Sequence, residues 1–216
     1  MEENLTGLNS YKRIPDSIDE SIRVAIIKGI LKPNSHIDDN YLAEYFATSV
    51  SSVRSALLLL EDDGYVTLKR GAGYSVSNLG YDDILHLYQL SSILMKASLF
   101  SISTSNEPVM IMLKESLDAQ SCPTNIDRDR KFHMTLAIAS RNSQYIRATR
   151  NTYNKIEWWY KTVFQNDIGT NAVGDHRSIV ERLAKIEKNS DYKEKVNEIV
   201  DIHFEKHIKE IENYYA

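Results

Sequence analysis

The stretch that ends at Val76 constrains the fold of this chain most, because its apolar spacing predicts three helices followed by a β-hairpin. The first helix is predicted to start after Pro15-Asp16 and to stop at Gly29, with Pro33 just beyond it. Apolar residues recur on it at the spacing of a helix that buries one face, namely Ile18, Ile22, Ala25 and Ile26.

Two further helices are predicted, from Asp39 to Phe46 and from Val50 to Asp62. Asp39 is the expected N-cap of the second helix and Ser49 that of the third, because short polar side chains accept hydrogen bonds from the free amides of a helix start. Gly64 is expected to end the third helix. The residues predicted to face inward are Leu42, Ala43, Phe46, Val53, Ala56, Leu57 and Leu60.

Two runs of alternating residues follow, Tyr65–Leu68 and Tyr74–Val76, and they are joined across residues 69–73. Three helices followed by a hairpin form a winged helix-turn-helix, which lays its third helix in the major groove of DNA. The sequence therefore predicts a domain over residues 1–78 that binds double-stranded DNA. The alternative is a winged helix that makes only protein contacts.

These residues resemble the DNA-binding domain of the GntR family of bacterial transcription regulators. The matching segments, spread over about a third of the chain, are Ile27–Pro33, Leu42-Ala43, Val53–Leu57, Leu60, Asp63–Val66 and Gly71–Val76. The resemblance implies a transcription regulator that binds a near-palindromic operator as a homodimer.

The charge of residues 1–78 is unusual for such a domain, since eight basic and eleven acidic side chains leave a net charge of −3. DNA-binding domains normally present a basic surface, because neutralising phosphates supplies much of the affinity. The cations expected to act here are Arg54 on the third helix and Lys69 and Arg70 on the wing. Backbone amides at the start of the second and third helices can also bind phosphates.

The resemblance places one base-reading arginine on this chain, Arg54. Where the family commonly has a further arginine, this chain has Val50-Ser51-Ser52, and where it often has a second basic residue, this chain has Asn40. The operator sequence is therefore not predictable. The remaining predicted DNA contacts are Ser49, Ser51, Ser52, Asn40, Tyr41 and Gly71. For each serine, simple helix capping is the alternative role.

The second domain, residues 79–216, is predicted to be an all-helical bundle, because helical spacing continues from Asp82 onward with few helix breakers. The polar segment Ser77–Gly80 is the expected hinge. The predicted helices are 82–103, 107–119, 126–141, 143–166, 174–188 and 191–214. Aromatic residues on the fourth of these, including Tyr153, Trp158 and Trp159, are expected in the core or a dimer interface.

One group of residues in the bundle has the chemistry of a metal site. Asp129 and His133 lie four residues apart, so both side chains project from one face of a helix. His176, His203 and His207 lie on later helices. Neutral imidazole and carboxylate suit zinc, nickel, manganese or iron. The alternatives are a metal-free regulator whose histidines only pack, and a metal-dependent hydrolase built on this cluster.

About residues 82–210 resemble the FCD ligand-binding domain of the FadR-like branch of the GntR family. The matching residues are Asp129–His133, Leu136, Ala139, Asn142, His176, Ile179 and His203. The resemblance implies that Asp129, His133, His176 and His203 hold a divalent metal beside a cavity for a small organic acid. Since the segment from His176 to His203 is longer than in the family by about one helical turn, His207 is the alternative to His203.

The residues expected to contact an effector are Arg147, Arg150 and Asn142, because an arginine can bind a carboxylate in a fork geometry. A solvated helix face explains the two arginines equally well. On the first helix of the domain, the family often has an arginine and a glutamate where this chain has Ser91 and Met95. This difference argues against an organic acid of the usual kind.

The composition agrees with a regulator of two small domains, for which 216 residues suffice. The single cysteine, Cys122, excludes an internal disulfide and fits a reducing compartment. There is no apolar run of about eighteen residues, as a membrane span would need. We therefore expect a cytoplasmic, metabolite-responsive repressor with no membrane association and no organic cofactor, controlled by a small ligand and a divalent metal such as zinc, nickel or manganese.

Overall fold

The computed structural model describes residues 17–102, 107–117, 124–164, 172–186 and 189–216. The helices are α1 (Ile18–Ile27), α2 (Asp39–Tyr45), α3 (Val50–Asp62), α4 (Tyr81–Ser101), α5 (Glu107–Ser116), α6 (Asn125–Ala139), α7 (Ser143–Phe164), α8 (Ala172–Leu183) and α9 (Tyr192–Tyr215), and the strands are β1 (His36–Ile37), β2 (Val66–Lys69) and β3 (Gly73–Val76). The architecture is mainly α, with a winged helix-turn-helix followed by a helical bundle, as predicted. Two compact units are present, the first formed mainly by the residues up to Leu79 and the second mainly by those from Gly80 onward.

The first helix follows its predicted pattern. Ile22, Ala25 and Ile26 on α1 are fully buried and form part of the core of the first unit. Gly29 follows the helix with φ of +73°, a left-handed conformation that glycine adopts without strain. The start signal predicted at Pro15-Asp16 lies outside the described residues.

The N-cap predicted for the second helix is wrong by one residue. Asp38 has the extended backbone of a cap, and its side chain accepts hydrogen bonds from the amides of Asn40 and Tyr41, both at 3.0 Å. Asp39 is instead the first residue within α2. Two adjacent aspartates can both serve as caps chemically, and only the backbone conformation selects between them. Leu42 and Ala43 are buried as predicted, whereas Phe46 is half-buried.

The third helix agrees closely with its prediction. Its N-cap is Ser49, whose hydroxyl accepts a hydrogen bond from the amide of Ser52 at 3.1 Å. The residues it buries are Val53, Ala56, Leu57 and Leu60, the inward face that the sequence predicted. Gly64 comes just after the helix with φ of +75°, so the chain turns there toward the hairpin.

The wing is a small antiparallel sheet with the strand order β1-β3-β2. In its hairpin, Val66 pairs with Val76 and Lys69 with Gly73, so both strands are shifted slightly from their predicted limits. The short strand β1 was not predicted, because two residues are too few to show an alternating pattern. Its pairing of His36 with Ser75 attaches the segment before α2 to the hairpin.

The second unit is helical throughout its described part, as predicted. The predicted helix ends at 103, 119, 166 and 188 lie outside the described residues, and α8 begins at Ala172, two residues before its predicted start at 174. Helix α6 packs against α4, α5 and α8, and α9 packs against α4 and α8. The inward face of α6 therefore lies among three other helices, and it contains the polar residues Asp129 and His133 as well as Phe132 and Leu136.

Among the described helices, none is both long enough and apolar enough to cross a membrane. The interior of the second unit instead contains large aromatic side chains. Tyr153, Trp158 and Trp159 on α7 are buried, which places them in the core of the unit.

Candidate functional site

Three helices of the second unit bring four polar side chains to one point in the core. Helix α6 supplies Asp129 and His133, α8 supplies His176, and α9 supplies His203. The exposed fractions of these residues are 3%, 3%, 1% and 3% in that order. Burying a carboxylate and three imidazoles is costly unless each finds a compensating partner. The cluster therefore requires an explanation beyond ordinary core packing.

The distances within the cluster are those of side chains that share a common centre. Asp129 Oδ1 lies 3.2 Å from His176 Nε2 and 3.5 Å from His133 Nε2, and the Nε2 atoms of His133 and His203 are 3.4 Å apart. One donor atom from each of the four residues lies within 4.8 Å of every other. Ligands about 2.0–2.1 Å from a tetrahedral zinc are about 3.3 Å from one another. Three of the contacts match that separation.

Two of the clustered atoms have no hydrogen bond. Asp129 Oδ1 and His176 Nε2 are buried and without a hydrogen-bond partner within the described parts of the chain, although the two atoms approach each other closely. Unpaired buried polar atoms are rare, and a bound ion or water is one of the standard reasons for them. Both atoms are therefore available to a third group bound between them.

Aromatic rings hold the imidazoles in place. Phe132 stacks on His176 with ring centroids 4.1 Å apart, and Tyr153 stacks on His133 at 4.7 Å. Phe204 meets His203 edge-on at 4.9 Å. These contacts restrict rotation of the rings and keep water away from them. Of these three aromatic residues, Phe132 belongs to the matching segment Asp129–His133 and Tyr153 to the aromatics predicted for the core or a dimer interface, whereas Phe204 was not predicted.

The electrostatics of the cluster favour the protonation states of metal ligands. Burial lowers the pKa of His176, and burial together with His207, His176 and His133 lowers the pKa of His203 well below its usual value. Burial would raise the pKa of Asp129, but the close approach of the His133 and His176 imidazoles outweighs it, so that this pKa lies well below the usual value. A neutral imidazole and an ionised carboxylate are the forms that bind metal ions.

The structure also distinguishes between His203 and His207, the two alternatives for the fourth residue of the cluster. His203 belongs to the group of converging donor atoms, whereas His207 does not. His207 is buried one helical turn further along α9 and stacks on Tyr88 with ring centroids 5.1 Å apart. Burial lowers the pKa of His207 as well. The longer segment before α9 thus leaves His203 at the cluster.

A layer of hydroxyl groups adjoins the cluster on the side of α4 and α7. Ser91 Oγ donates to the phenol oxygen of Tyr153 at 3.0 Å, and the phenol of Tyr88 donates to that of Tyr160 at 3.3 Å. Ser91 and Met95 are both buried. Because Tyr153 also stacks on His133, the neutral hydroxyl of Ser91 is connected to the cluster through one side chain.

The three residues predicted to bind an effector lie elsewhere on α7 or at its start. Asn142 precedes α7, and its side-chain oxygen accepts hydrogen bonds from the amides of Gln144 at 2.9 Å and Tyr145 at 3.3 Å. It therefore acts as a helix cap. Arg147 and Arg150 are exposed. Their role in effector binding stays a prediction.

In the first unit, the predicted DNA-binding residues lie on the exposed side of α3 and on the wing. Arg54 is 61% exposed, and its Nε donates to Asp39 Oδ2 on α2 at 2.6 Å. Ser51 and Ser52 are exposed, and the hydroxyl of Ser49 contacts that of Ser52 at 2.8 Å in addition to capping α3. The capping role of Ser49 is thus established by geometry.

The turn of the wing exposes its basic side chains. Lys69, Arg70 and Gly71 are exposed at the tip of the hairpin, and Gly71 has φ of +80°. Asn40 is exposed at the start of α2, while Tyr41 is half-buried and stacks on Tyr45. The predicted cations of the wing and the side chain of Asn40 are therefore exposed, whereas the amides of Asn40 and Tyr41 are occupied by the cap at Asp38.

Comparison with known proteins agrees with this geometry. Residues 15–76 match the bacterial regulatory proteins of the gntR family. The N-terminal domain is a GntR-family domain. The chain is 25% identical to the HTH-type transcriptional regulator YdhC of Bacillus subtilis over 179 residues, which cover 78% of this chain and 80% of that protein. It is 26% identical to the gluconate operon transcriptional repressor of Bacillus licheniformis, over 58% of this chain and 54% of that one.

A solved structure shares the whole fold. The GntR transcriptional regulator from Rhodococcus sp. RHA1 superimposes with a TM-score of 0.70 at 17% identity, covering 92% of this chain and 97% of that one. The chain is accordingly similar to DNA-binding transcriptional regulators, and its residues 15–76 match the GntR family. The relatives named here are transcriptional regulators, which favours a regulator over the metal-dependent hydrolase considered as an alternative.

Proposed function

We propose that this GntR-family regulator is a homodimeric repressor of the FadR-like branch, in which a divalent metal and a small ligand in an FCD-type bundle set the operator affinity. The name of the gluconate operon repressor of B. licheniformis supports repression. The proposal of a metal site is based on the convergence of Asp129, His133, His176 and His203 in the core.

The four residues fit a divalent metal in donor type and spacing. Three imidazole nitrogens and one carboxylate oxygen are donors that zinc, nickel and manganese accept. The two unpaired atoms, Asp129 Oδ1 and His176 Nε2, would obtain a partner. The metal would supply a positive charge that joins α6, α8 and α9. Because the ligands come from three helices, binding would favour the folded arrangement of the bundle over looser ones.

Control of DNA binding would be a shift between conformations. A ligand changes an equilibrium only by the difference in its affinity for the two states. The four residues can provide such a difference, since a change in packing among α6, α8 and α9 would separate them. The two winged helices of a dimer would then be held at a spacing that favours or disfavours a near-palindromic operator.

A small-molecule effector is a separate part of the proposal. The arginines Arg147 and Arg150 are exposed cations that can bind a carboxylate, and Asn142 lies at the start of the same helix. The layer formed by Ser91 and Tyr153 is neutral and buried. This layer would suit a hydroxyl group of the effector better than a second carboxylate in addition to the one bound by the arginines.

Metal content and operator binding test this function together. We expect tag-free full-length protein, supplied with zinc, nickel or manganese, to retain about one metal ion per chain after desalting, since four buried ligands suffice for a structural site. Removing the ion with a chelator should change the affinity for a duplex selected by the protein from a random pool, and restoring it should reverse the change. If the protein retains none of the three metals, it is a metal-free regulator. If it retains metal but its affinity for the selected duplex does not change on removal of the ion, control by the metal is excluded.

Dimer formation is tested by light scattering of the full chain. Leu90 and Ile93 lie one turn apart on α4 and are 42% and 63% exposed, an apolar surface that a second copy could cover. We expect twice the chain mass of 24.8 kDa at micromolar concentration. Ile93→Glu should reduce it toward the monomer mass, because a charge would be buried.

The matched control is Ile138→Glu on α6, a residue that is 48% exposed and well separated from α4 along the chain. It adds the same charge and should leave the dimer intact. A monomeric wild type would contradict the homodimer. If both variants stay dimeric, the contact lies away from Leu90 and Ile93.

A further inference from the structure

The helix before the recognition helix places a carboxylate against the arginine predicted to contact bases. Asp39 Oδ2 lies 2.6 Å from Arg54 Nε, and the two residues are on different helices, α2 and α3. Asp39 is available for this contact because Asp38 caps α2. The Asp39 side chain is 20% exposed and that of Arg54 is 61% exposed, so the carboxylate is the better enclosed of the two.

Stability and bulk charge do not account for this contact. Exposed ion pairs contribute little to folding because water screens them and both side chains lose freedom. A carboxylate near the DNA-facing side of α3 also repels phosphates, in a unit where acidic residues already outnumber basic ones. Asp39 thus lowers general attraction to DNA, and a compensating role would have to lie in recognition.

We propose that Asp39 is a positioning residue that holds the guanidinium of Arg54 in the orientation needed to contact a guanine. An arginine recognises guanine through two parallel hydrogen bonds to O6 and N7. With Nε engaged by Asp39, the two terminal nitrogens of Arg54 remain available as that pair of donors. The ordered side chain also loses less conformational freedom when DNA binds. The inference rests on the proposed base contact of Arg54.

The test compares four single variants and one double variant of the full chain on one set of duplexes. The duplex that the wild type selects from a random pool is used together with its single base-pair substitutions, so that base preference and overall affinity are measured separately. Arg54→Ala identifies the base pair that Arg54 contacts. Asp39→Ala removes the contact, Asp39→Asn keeps an oxygen that can accept from Nε, and Glu44→Ala removes an exposed charge from the same helix.

We expect Asp39→Ala to reduce the preference at the Arg54-dependent base pair by about two- to tenfold, the cost of ordering a long side chain on binding. Its affinity for unrelated duplexes should rise, because a negative charge is lost. Asp39→Asn should restore the base preference and keep the higher general affinity. Glu44→Ala should raise general affinity and leave all base preferences unchanged. The double variant Asp39→Ala/Arg54→Ala should show no smaller preference than Arg54→Ala alone.

Three results would overturn the positioning role, and they differ from one another. Base preferences of Asp39→Ala equal to those of the wild type would mean that Arg54 needs no support. A changed preference at a different base pair would mean that Asp39 itself accepts a hydrogen bond from a cytosine. If Arg54→Ala kept the base preferences of the wild type, Arg54 would make no base contact, and the positioning role of Asp39 would be refuted as well.

Discussion

His203→Ala is expected to release most of the bound metal and to cancel the stabilisation that the metal gives, whereas His207→Ala is expected to retain both. The reason is geometric, since the donor atoms of Asp129, His133, His176 and His203 converge and His207 instead stacks on Tyr88. A metal at a hundredfold excess over its Kd stabilises the folded chain by about 2.7 kcal/mol. For a chain of this size, each kcal/mol corresponds to a Tm shift of about 2–4 °C.

The measurement is elemental analysis combined with thermal unfolding, with and without metal, for tag-free wild type, His133→Ala, His203→Ala and His207→Ala. Comparing each variant with its own metal-free form removes the loss of packing that any buried histidine causes. The wild type and His207→Ala should gain several degrees on adding metal, and His133→Ala and His203→Ala should gain little. Loss of the metal from His207→Ala and its retention by His203→Ala would mean that the fourth ligand is His207, one helical turn further along α9.

The metal-dependent gain should also disappear in acid. Burial places the pKa of His176 and His203 below the unfolded value of about 6.5, so these side chains are neutral in the folded chain at pH 7. Below pH 6.5 the unfolded chain binds more protons than the folded one, so the free energy of unfolding decreases as the pH is lowered. Protons then also compete with the metal. A metal-induced Tm shift of the same size at pH 5 and pH 7 would contradict histidine ligands.

Arg54→Ala should weaken binding to the selected operator by about 1–3 kcal/mol, or roughly 5- to 150-fold, and relax the preference at one base pair in each half-site. Its side chain is 61% exposed on α3 and contacts Asp39, so its terminal nitrogens are available to enter the major groove. Lys69→Ala at the wing is the matched comparison. It should weaken binding to all duplexes alike and flatten the dependence of affinity on salt, because a lysine there neutralises phosphate.

Fluorescence anisotropy over a range of salt concentrations measures both effects on the same labelled duplexes. The two variants remove one positive charge each, so the contrast between them isolates base recognition from charge. Equal binding of wild type and Arg54→Ala at physiological salt would mean that α3 recognises DNA by other residues. A loss of base preference in Lys69→Ala would place base contacts on the wing.

Local patterns were sufficient to predict the winged helix and the helical character of the bundle. The cap at Ser49, the buried stripe from Val53 to Leu60 and the turn at Gly64 all depend on neighbours a few residues away. Helical periodicity and turn chemistry act over the same short range, so both can be predicted directly from the sequence. Asp129 and His133 were predicted to share a helix face for that reason.

Tertiary structure decided how separate elements meet. The sequence does not show whether His203 or His207 reaches His133, because the answer depends on how α9 packs against α8 and α4. Nor does it show that Asp38 caps α2, since both aspartates are chemically suitable and only the backbone angles differ. The contact between Asp39 and Arg54 spans two helices, and β1 exists only because β3 pairs with it. The sequence by itself thus determined the helices, the hairpin and the residue types of the sites, whereas packing determined which side chains converge, because contacts between distant segments leave no local periodicity.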